Sequence, residues 1–567
     1  MGFDCVWLTP VVQQPGLDGD CDDDWCHSSY HGYWAQNFWN IDRRYGTPDD
    51  LWLLSKEIKA RGMCFILDIV INHVRPIAKS ADLARVVPFN DTSFFHTYKK
   101  MDDETFDDYI KSPVDCLVDP CMAGSYHCRT KGDGDMYDPM RVEQGWFTDY
   151  RYNLGMADLR QEDPVVGDEL KKWIKYMIKE YEIDALRLDT TPYINKPYLS
   201  EFRQAAGVEI LGEVTASNWT FLETYLSPSV ANGTVVNASI DAVTNFNLYG
   251  SMFEGFCGKK VGPQKGYDPH NAELPKLDPP DMRSLAKTLR EQADFGDRIN
   301  LDRMSIFADT HDEARVARQC QDWARVANIL AFVLLWRGIP CVLWGTEQGF
   351  AQQDNRNALW STGFRQDTLG YARIAALNRV RRDYGAGMGP VDILIVDEEN
   401  LVFTRRPLGA ANATNATNGS ATANGSLNGS LNGTAGANAT NASLVYIFLN
   451  NANQDNATKP RTYCLDSGAP VWPLEPPDGH VWTEALLDTP VSLDSDGCYQ
   501  APDSLPKVVV AKKMPLHSNK FYPKSFDFSG LRKPHMGDGS QDYPGPFGSH
   551  IPPEEQERRQ ARQAVAL

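Results

Sequence analysis

Residues 184–191 read DALRLDTT. In an extended segment alternate side chains share a face, so Arg187 and Asp189 point one way and Leu186 and Leu188 the other. A buried ion pair returns little net stability once its desolvation is counted. A satisfied core salt bridge and a reactive carboxylate both fit this stretch alone, and the surrounding chain decides between them.

The same unit recurs along the chain: a short apolar run, polar or charged residues at its C-terminal end, then a helical pattern. It is seen in GFDCVWLTP (2–10), MCFILDIVINH (63–73), GVEILGEVTA (207–216), RMSIFADTHDEAR (303–315) and IPCVLWGTEQ (339–348), with a weaker copy in SIDAVTNFN (239–247). Helical spacing of apolar residues predicts helices over 49–62, 165–181 and 322–338. Strands alternating with helices imply a parallel sheet, and runs apolar on both faces imply strands covered on both sides. About seven such units with ionisable residues at the strand ends favour a (β/α)8 barrel, whose chemistry sits at that rim. The other doubly covered architecture, an open sheet, is disfavoured because no glycine-rich phosphate loop follows the first strand.

Two regions depart from the repeat. Roughly ninety residues rich in Asp, Gly, Pro and Cys separate DIVINH from the helix near Val165, too long for a bare connection and therefore expected to form an inserted domain. From about Val391 strands follow one another without helices, which predicts a separate all-β domain. The expected layout is a barrel over 1–71 and 158–390, an insertion over 72–157, and a C-terminal β-sandwich over 391–513. A low-complexity loop at 409–443 interrupts the sandwich, and a disordered tail covers 514–567.

With 42% hydrophobic residues the chain can bury a large core, and a formal net charge of −19 argues against nucleic acid or an anionic membrane surface as a partner. The longest apolar run, ILAFVLLW (329–336), is too short to span a bilayer and reads as a buried helix. The 12 cysteines show no CxxC metal pattern. Several lie in loop-like stretches (CDDDWC, CLVDPCMAGSYHC) that suit disulfides. Cys464 and Cys498 are the expected pair, whereas Cys5, Cys64 and Cys341, inside apolar runs, are expected as buried thiols. Sequons at Asn90, Asn218, Asn232 and Asn237, and a dense set from Asn412 to Asn441, point to a secretory route.

Asp189, Glu213 and Asp312 end three different barrel strands and are expected to converge on one cavity. Cleavage of an acetal needs one carboxyl to protonate the leaving oxygen and another to attack or stabilise the oxocarbenium-like centre. Arg187 can keep Asp189 ionised, the apolar EILG before Glu213 can raise that acid's pKa, and His73 and His311 add donors nearby.

DIVINH (68–73), LRLDTT (186–191), LGEV (211–214) and FADTHD (307–312) resemble, in order and spacing, the four signature regions of the α-amylase family of glycoside hydrolases. YHGYWAQNFWNIDRRYGTPDDL (30–51) and GIPCVLWGTEQ resemble flanking segments of fungal-type secreted α-amylases. The resemblance implies retaining hydrolysis of α-1,4-glucan, with Asp189 as nucleophile, Glu213 as acid/base and Asp312 as the stabilising carboxylate. It assigns Tyr33, Trp34, His73, Arg187, His311, Asp354 and Arg356 to substrate. It also implies a calcium ion held by side-chain oxygens of Asn72, Glu143 and Asp158 and by the carbonyl of Tyr193; oxygen ligands suit a hard cation.

Thr310 stands where the family has asparagine, and Pro192–Tyr193 where it has Lys-His, which implies an altered preference on the leaving side. The chain opens at the family's second barrel strand and no signal peptide precedes Met1, so the expected full form is longer and secreted. The expected partner is an α-glucan polysaccharide or oligosaccharide, bound by a monomer. The alternatives are a 4-α-glucanotransferase on the same machinery and a non-catalytic glucan-binding fragment.

Overall fold

The computed structural model describes residues 1–16, 28–96, 106–107, 146–149, 154–227, 229–231, 234–236, 238–259, 277–296, 298–352, 356–387, 391–405, 445–464, 480–491, 493–495 and 498–513. The low-complexity loop, the tail from 514, most of the expected insertion, Glu143 and Asp354 lie outside the described residues.

Seven short strands form the heart of the molecule: β1 (Cys5–Leu8), β2 (Cys64–Ile69), β3 (Ala185–Leu188), β4 (Glu209–Gly212), β5 (Ala242–Val243), β6 (Ser305–Phe307) and β7 (Ile339–Cys341). β1 to β5 pair in chain order, all parallel, and so do β6 and β7. A parallel bridge between Thr244 and Ser305 joins the two sets. Spatial order following chain order, with helices between strands, is the winding of a β/α barrel.

Helices α1 (Pro48–Ala60), α2 (Pro164–Tyr181), α3 (Lys196–Ala206), α4 (Trp219–Leu226), α5 (Phe246–Phe256), α6 (Met282–Phe295), α7 (Trp323–Leu335) and α8 (Leu369–Asp383) cover the strands. Their starts are written in the chain. Thr47 and Asp50 form a capping box, and Asp163, Asn195 and Asn218 each accept a backbone N–H of the turn that follows. The expected spans 49–62, 165–181 and 322–338 correspond to α1, α2 and α7. In α7 every residue from Val326 to Leu335 is buried, as a helix apolar nearly all round must be, with Asn328 its one polar member in that stretch.

Between β2 and α2 a small antiparallel sheet is laid down: Leu154–Asp158 pairs with His73–Ile77 on one side and Phe147–Asp149 on the other. The C-terminal region is all-β. Strands β8 (Val391–Val396), β9 (Asn400–Arg405), β10 (Val445–Asn450), β11 (His480–Glu484), β12 (Thr489–Pro490) and β13 (Lys507–Lys513) form one antiparallel sheet ordered β8-β9-β10-β13-β11-β12.

Period-two alternation splits that sheet's side chains between two cores. Leu401, Phe403, Val445, Ile447, Leu449, Val508 and Val510 join a cluster with α5, α6 and α7 of the barrel. Val402, Tyr446, Phe448 and Val509 face the other way, onto Tyr463 and Tyr499 of a two-stranded ribbon. Asn328 of α7 is buried in the seam, where its Oδ1 accepts the N–H of Asn450 at 3.0 Å.

Three disulfides occur among the described residues: Cys5–Cys64, Cys257–Cys320 and Cys464–Cys498. The expected Cys464–Cys498 bridge is present. The expectation of free thiols at Cys5 and Cys64 is corrected: they are register partners on neighbouring parallel strands, with Cα atoms 4.4 Å apart, and are bonded. An apolar setting identifies buried cysteines but says nothing about strand register. Cys341 is a free thiol, and burial pushes its pKa up to about 12.

Candidate active site

Register decides who meets whom. Asp68 on β2 is level with Arg187 on β3, and Leu188 with Gly212 on β4. The ladder runs one residue past the strand ends, for Asp189 donates its N–H to Ile69 O at 3.0 Å and Glu213 donates to Leu188 O at 2.8 Å. Both carboxylates are thus fixed to the C-terminal ends of adjacent parallel strands. Gly212 leaves room for its neighbours: a Cβ would lie 2.4 Å from Ile240 Cδ1 and 2.8 Å from Thr191 Oγ1, so a larger residue would force both side chains to shift.

Arg187, 2% exposed, is the hub. Its Nη1 reaches Asp189 Oδ1 at 2.7 Å and Asp68 Oδ1 at 2.9 Å, and its Nη2 reaches Glu213 Oε1 at 2.9 Å. One cation among three buried carboxylates leaves excess negative charge in a dry place. Burial, with mutual repulsion against the pull of Arg187, raises Asp189 to about 6, Asp68 to about 6 and Glu213 to about 7.

Asp312, beyond the end of β6, meets different company. Arg356 Nη2 contacts its Oδ1 at 2.7 Å and His311 Nε2 its Oδ2 at 3.0 Å. Burial alone would raise its pKa, but His311 and Arg356 outweigh that and hold it well below the usual carboxylate range. The centre therefore contains one firmly ionised carboxylate and a set that shares protons near neutrality.

Aromatic rings line this cluster. Tyr33 stacks on His311 with centroids 5.4 Å apart and planes at 8°, and Arg356 lies 5.5 Å over its ring. Its hydroxyl donates to Asp68 Oδ2 at 2.8 Å and sits 2.6 Å from His311 Nε2. With the Tyr33 proton on Asp68, His311 Nε2 carries the proton it shares between Tyr33 and Asp312. His73 Nε2 lies 3.1 Å from Tyr33 O, and burial lowers its pKa to about 4, so it is neutral at physiological pH. Trp34 is 3% exposed, its ring set edge-on to His31, which stacks on Tyr33 with centroids 5.8 Å apart.

Three participants were not singled out from sequence. Asp68 lies inside DIVINH and is recognisable only through its register with Arg187. Trp7 of β1 donates its indole N–H to Asp68 Oδ2 at 3.2 Å and stands 5.5 Å from the Arg187 guanidinium. Thr190 has φ 49 and ψ 36, and its backbone N–H donates to Glu213 Oε2 at 3.1 Å. It precedes the short turn Thr191–Tyr193 without capping it, and its hydroxyl is buried with no hydrogen-bond partner among the described residues.

Oxygen atoms suited to a hard cation lie just beyond the C-terminal end of β2, at Asn72. Asn72 O accepts the N–H of Leu159 at 2.8 Å, which sets Asn72 beside Asp158. Asn72 Oδ1 and Gln161 Oε1 are buried without a hydrogen-bond partner among the described residues, and Gln161 Nε2 donates to Ile71 O at 3.0 Å. Asp158 is fully buried, and His96 Nδ1 contacts its Oδ2 at 2.7 Å. Tyr193 is buried in the turn after β3. No group of three His, Cys, Asp or Glu side chains among the described residues is arranged to hold a metal.

Comparison with known proteins identifies the fold. The sequence profile described as "Alpha amylase, catalytic domain" matches residues 1–383. Alpha-amylase 2 of Schizosaccharomyces pombe is 28% identical over 414 residues, covering 71% of this chain and 57% of that protein. The alpha-amylase of Saccharomycopsis fibuligera is 28% identical over 387 residues, covering 67% of this chain and 64% of that protein. The chain thus spans about three fifths of the length of these curated relatives. Among solved structures, an alpha-amylase from Malbranchea cinnamomea superposes with a TM-score of 0.62 at 26% identity, covering 90% of this chain and 86% of that one. An alpha-amylase from Geobacillus thermoleovorans, complexed with acarbose, shares the fold at a TM-score of 0.59 and 22% identity, over 90% of this chain and 89% of that one.

Proposed function

The chain belongs to the α-amylase family of glycoside hydrolases, and from that premise we propose that it cleaves internal α-1,4-glucosidic bonds of starch, glycogen or maltooligosaccharides with retention of configuration. The carrying observation is the Arg187 guanidinium, 2.7 Å from Asp189 and 2.9 Å from Glu213, which gathers two carboxyls at adjacent strand ends and so supports a paired-carboxyl reaction.

Glu213, with its pKa near 7, holds a proton that it passes to the glycosidic oxygen as the bond to C1 breaks. Asp189, ionised beside Arg187, attacks C1 and forms a glycosyl ester, and the shortened glucan leaves with the proton. Glu213, now a carboxylate, takes a proton from water as the water oxygen displaces Asp189 from C1, which restores both groups. Asp312, kept ionised by His311 and Arg356, accepts hydrogen bonds from sugar hydroxyls and favours the flattened ring. Tyr33 supplies an aromatic face for the apolar side of the pyranose. The acarbose complex of the Geobacillus relative is consistent with a sugar-shaped cleft in this fold.

A calcium ion fits the buried oxygens beside β2: Asn72 and Asp158 would hold it, with Glu143 and the carbonyl of Tyr193 completing the set. Bound there it would supply fixed positive charge that ties the segment after β2 to the small antiparallel sheet. Disulfides favour an oxidising compartment, and we place the protein outside the cell. No helix among the described residues is long and apolar enough to cross a membrane.

Thr310 supports an altered leaving side. Its hydroxyl accepts the N–H groups of Asp312 and Glu313 at 3.2 and 3.1 Å and is committed to that turn. Reducing-sugar release from soluble starch by the full chain, lowered about 10³-fold or more in Asp189→Asn, tests the hydrolytic reading. Products from maltoheptaose that are longer than the substrate would reassign the protein to transfer, and binding without turnover would reduce it to a glucan-binding protein.

A further inference from the structure

The loop that carries Arg356 to Asp312 continues into a pair of outward-facing aromatics. Trp360 is 68% exposed, the most exposed of the large hydrophobic residues described, and Phe364 is 59% exposed. They do not sit on a slack segment. Trp344 Nε1 donates to Asn357 O at 2.8 Å, Gly363 N to Trp360 O at 3.1 Å, Phe364 N to Thr362 Oγ1 at 3.1 Å, and Gln348 Nε2 to Arg365 O at 2.9 Å. Gly363 and Phe364 both have left-handed backbones, φ 65 and φ 54. A bulky aromatic in that region is a true outlier, tolerated where surrounding structure holds it for a purpose. Here the turn directs Phe364 to solvent rather than to the core.

We propose that Trp360 and Phe364 form an outlying stacking platform for an α-glucan, which extends the sugar-binding cleft beyond Arg356 and favours long chains over short ones. The inference rests on the glucan-cleaving reading given above. Continuity with the cleft identifies the occupant. Arg356 touches both Asp312 and the Tyr33 ring, and four extended residues reach at most about 14 Å, so Trp360 lies within a few sugar rings of the reacting centre. Pyranose rings offer apolar C–H faces to flat aromatic surfaces, and a rigid aromatic binds them with little loss of conformational freedom. A polymer already threaded past Tyr33 and Arg356 would pass over the next rings on the same loop.

The test uses the full chain and compares kcat/KM on maltoheptaose with that on maltotriose. Trp360→Ala, Phe364→Ala and the double variant are expected to lower the ratio of the two by about 2- to 10-fold, with Trp360→Phe restoring most of it. Both side chains are exposed, so these variants keep their core. In parallel, affinity for maltoheptaose is measured by calorimetry in the Asp189→Asn background, where the double variant is expected to bind about 2- to 10-fold more weakly. An unmoved ratio and unmoved affinity overturn the platform while leaving the hydrolytic reading intact. If the unsubstituted chain fails to cleave, the calorimetry alone decides, and a chain that neither cleaves nor binds overturns both. Self-association that disappears in Trp360→Ala, without any change in glucan affinity, would assign the patch to a second copy and likewise overturn the platform.

Discussion

Thr190 reaches Glu213 through its backbone: the N–H meets Oε2 at 3.1 Å only because the residue turns left-handed at φ 49 immediately after Asp189. A β-branched residue in that region costs about 1–2 kcal/mol, and a buried hydroxyl without a partner adds to it. Thr190→Gly removes both costs and keeps the N–H. Unfolding should show a gain of about 1 kcal/mol, with kcat/KM on maltoheptaose held within about threefold. A loss of stability would mean that the threonine side chain contributes a contact the present geometry does not contain.

Asp68 tunes its neighbours through Arg187 and Tyr33. It draws on Arg187 at 2.9 Å, on Tyr33 at 2.8 Å and on Trp7 at 3.2 Å, and its charge pushes Asp189 upward. Asp68→Asn should leave Arg187 freer to favour the ionised forms of Asp189 and Glu213. Both limbs of the pH profile should move to lower pH, with kcat reduced about 10- to 100-fold at pH 7. Asp68→Ala should destabilise by about 3–5 kcal/mol, since it strips a buried cation of a partner. A fall in kcat with unmoved limbs would confine Asp68 to a packing role.

The pH dependence follows from two groups with opposite requirements. Asp189 must be ionised, and with its pKa near 6 activity is lost as pH falls below that value; Glu213 must be protonated, and with its pKa near 7 activity is lost as pH rises above it. The profile of kcat/KM should therefore be a narrow bell with its maximum between these values, the limbs belonging to the coupled set rather than to single residues. Asp312 stays ionised throughout and contributes no limb. Activity maintained through pH 8.5 would contradict the placement of Glu213 as acid.

Calcium should stabilise the fold through Asn72, whose buried Oδ1 lacks a hydrogen-bond partner among the described residues. Added to protein stripped with a chelator, the ion at about a hundredfold excess over its Kd should contribute about 2.7 kcal/mol to unfolding free energy and raise Tm. Asn72→Ala should lose most of that increment. Equal shifts in both proteins would move the ion elsewhere.

Much of this architecture was legible because barrels repeat themselves. Each apolar run with charge at its end became a strand, and the all-apolar stretch 329–336 lies within or beside α7, as its composition requires. Carboxylates at strand ends were legible for the same reason. Contacts set by register were not. Cys5 with Cys64 and Asp68 with Arg187 each depend on how two strands 59 and 119 residues apart are aligned, which no local pattern encodes. Trp34, next to Tyr33 in the chain, is buried, its ring edge-on to His31, which in turn stacks on Tyr33. Nothing in the local sequence marks Thr190, whose left-handed backbone directs its amide at Glu213.

The seam between α7 and the C-terminal sheet sets a limit on dissection. Leu401, Phe403, Ile447 and Val508 complete the same cluster as Phe332 and Leu334, and Asn328 is hydrogen-bonded to the backbone of Asn450. Cutting after Asp383 would leave the wettest possible replacement against a wall of leucine and valine, and the remnant would aggregate rather than work alone. The sheet is a retaining wall, so the two halves should melt together in a single calorimetric transition, and grafting a foreign module in its place would demand a matching apolar footprint.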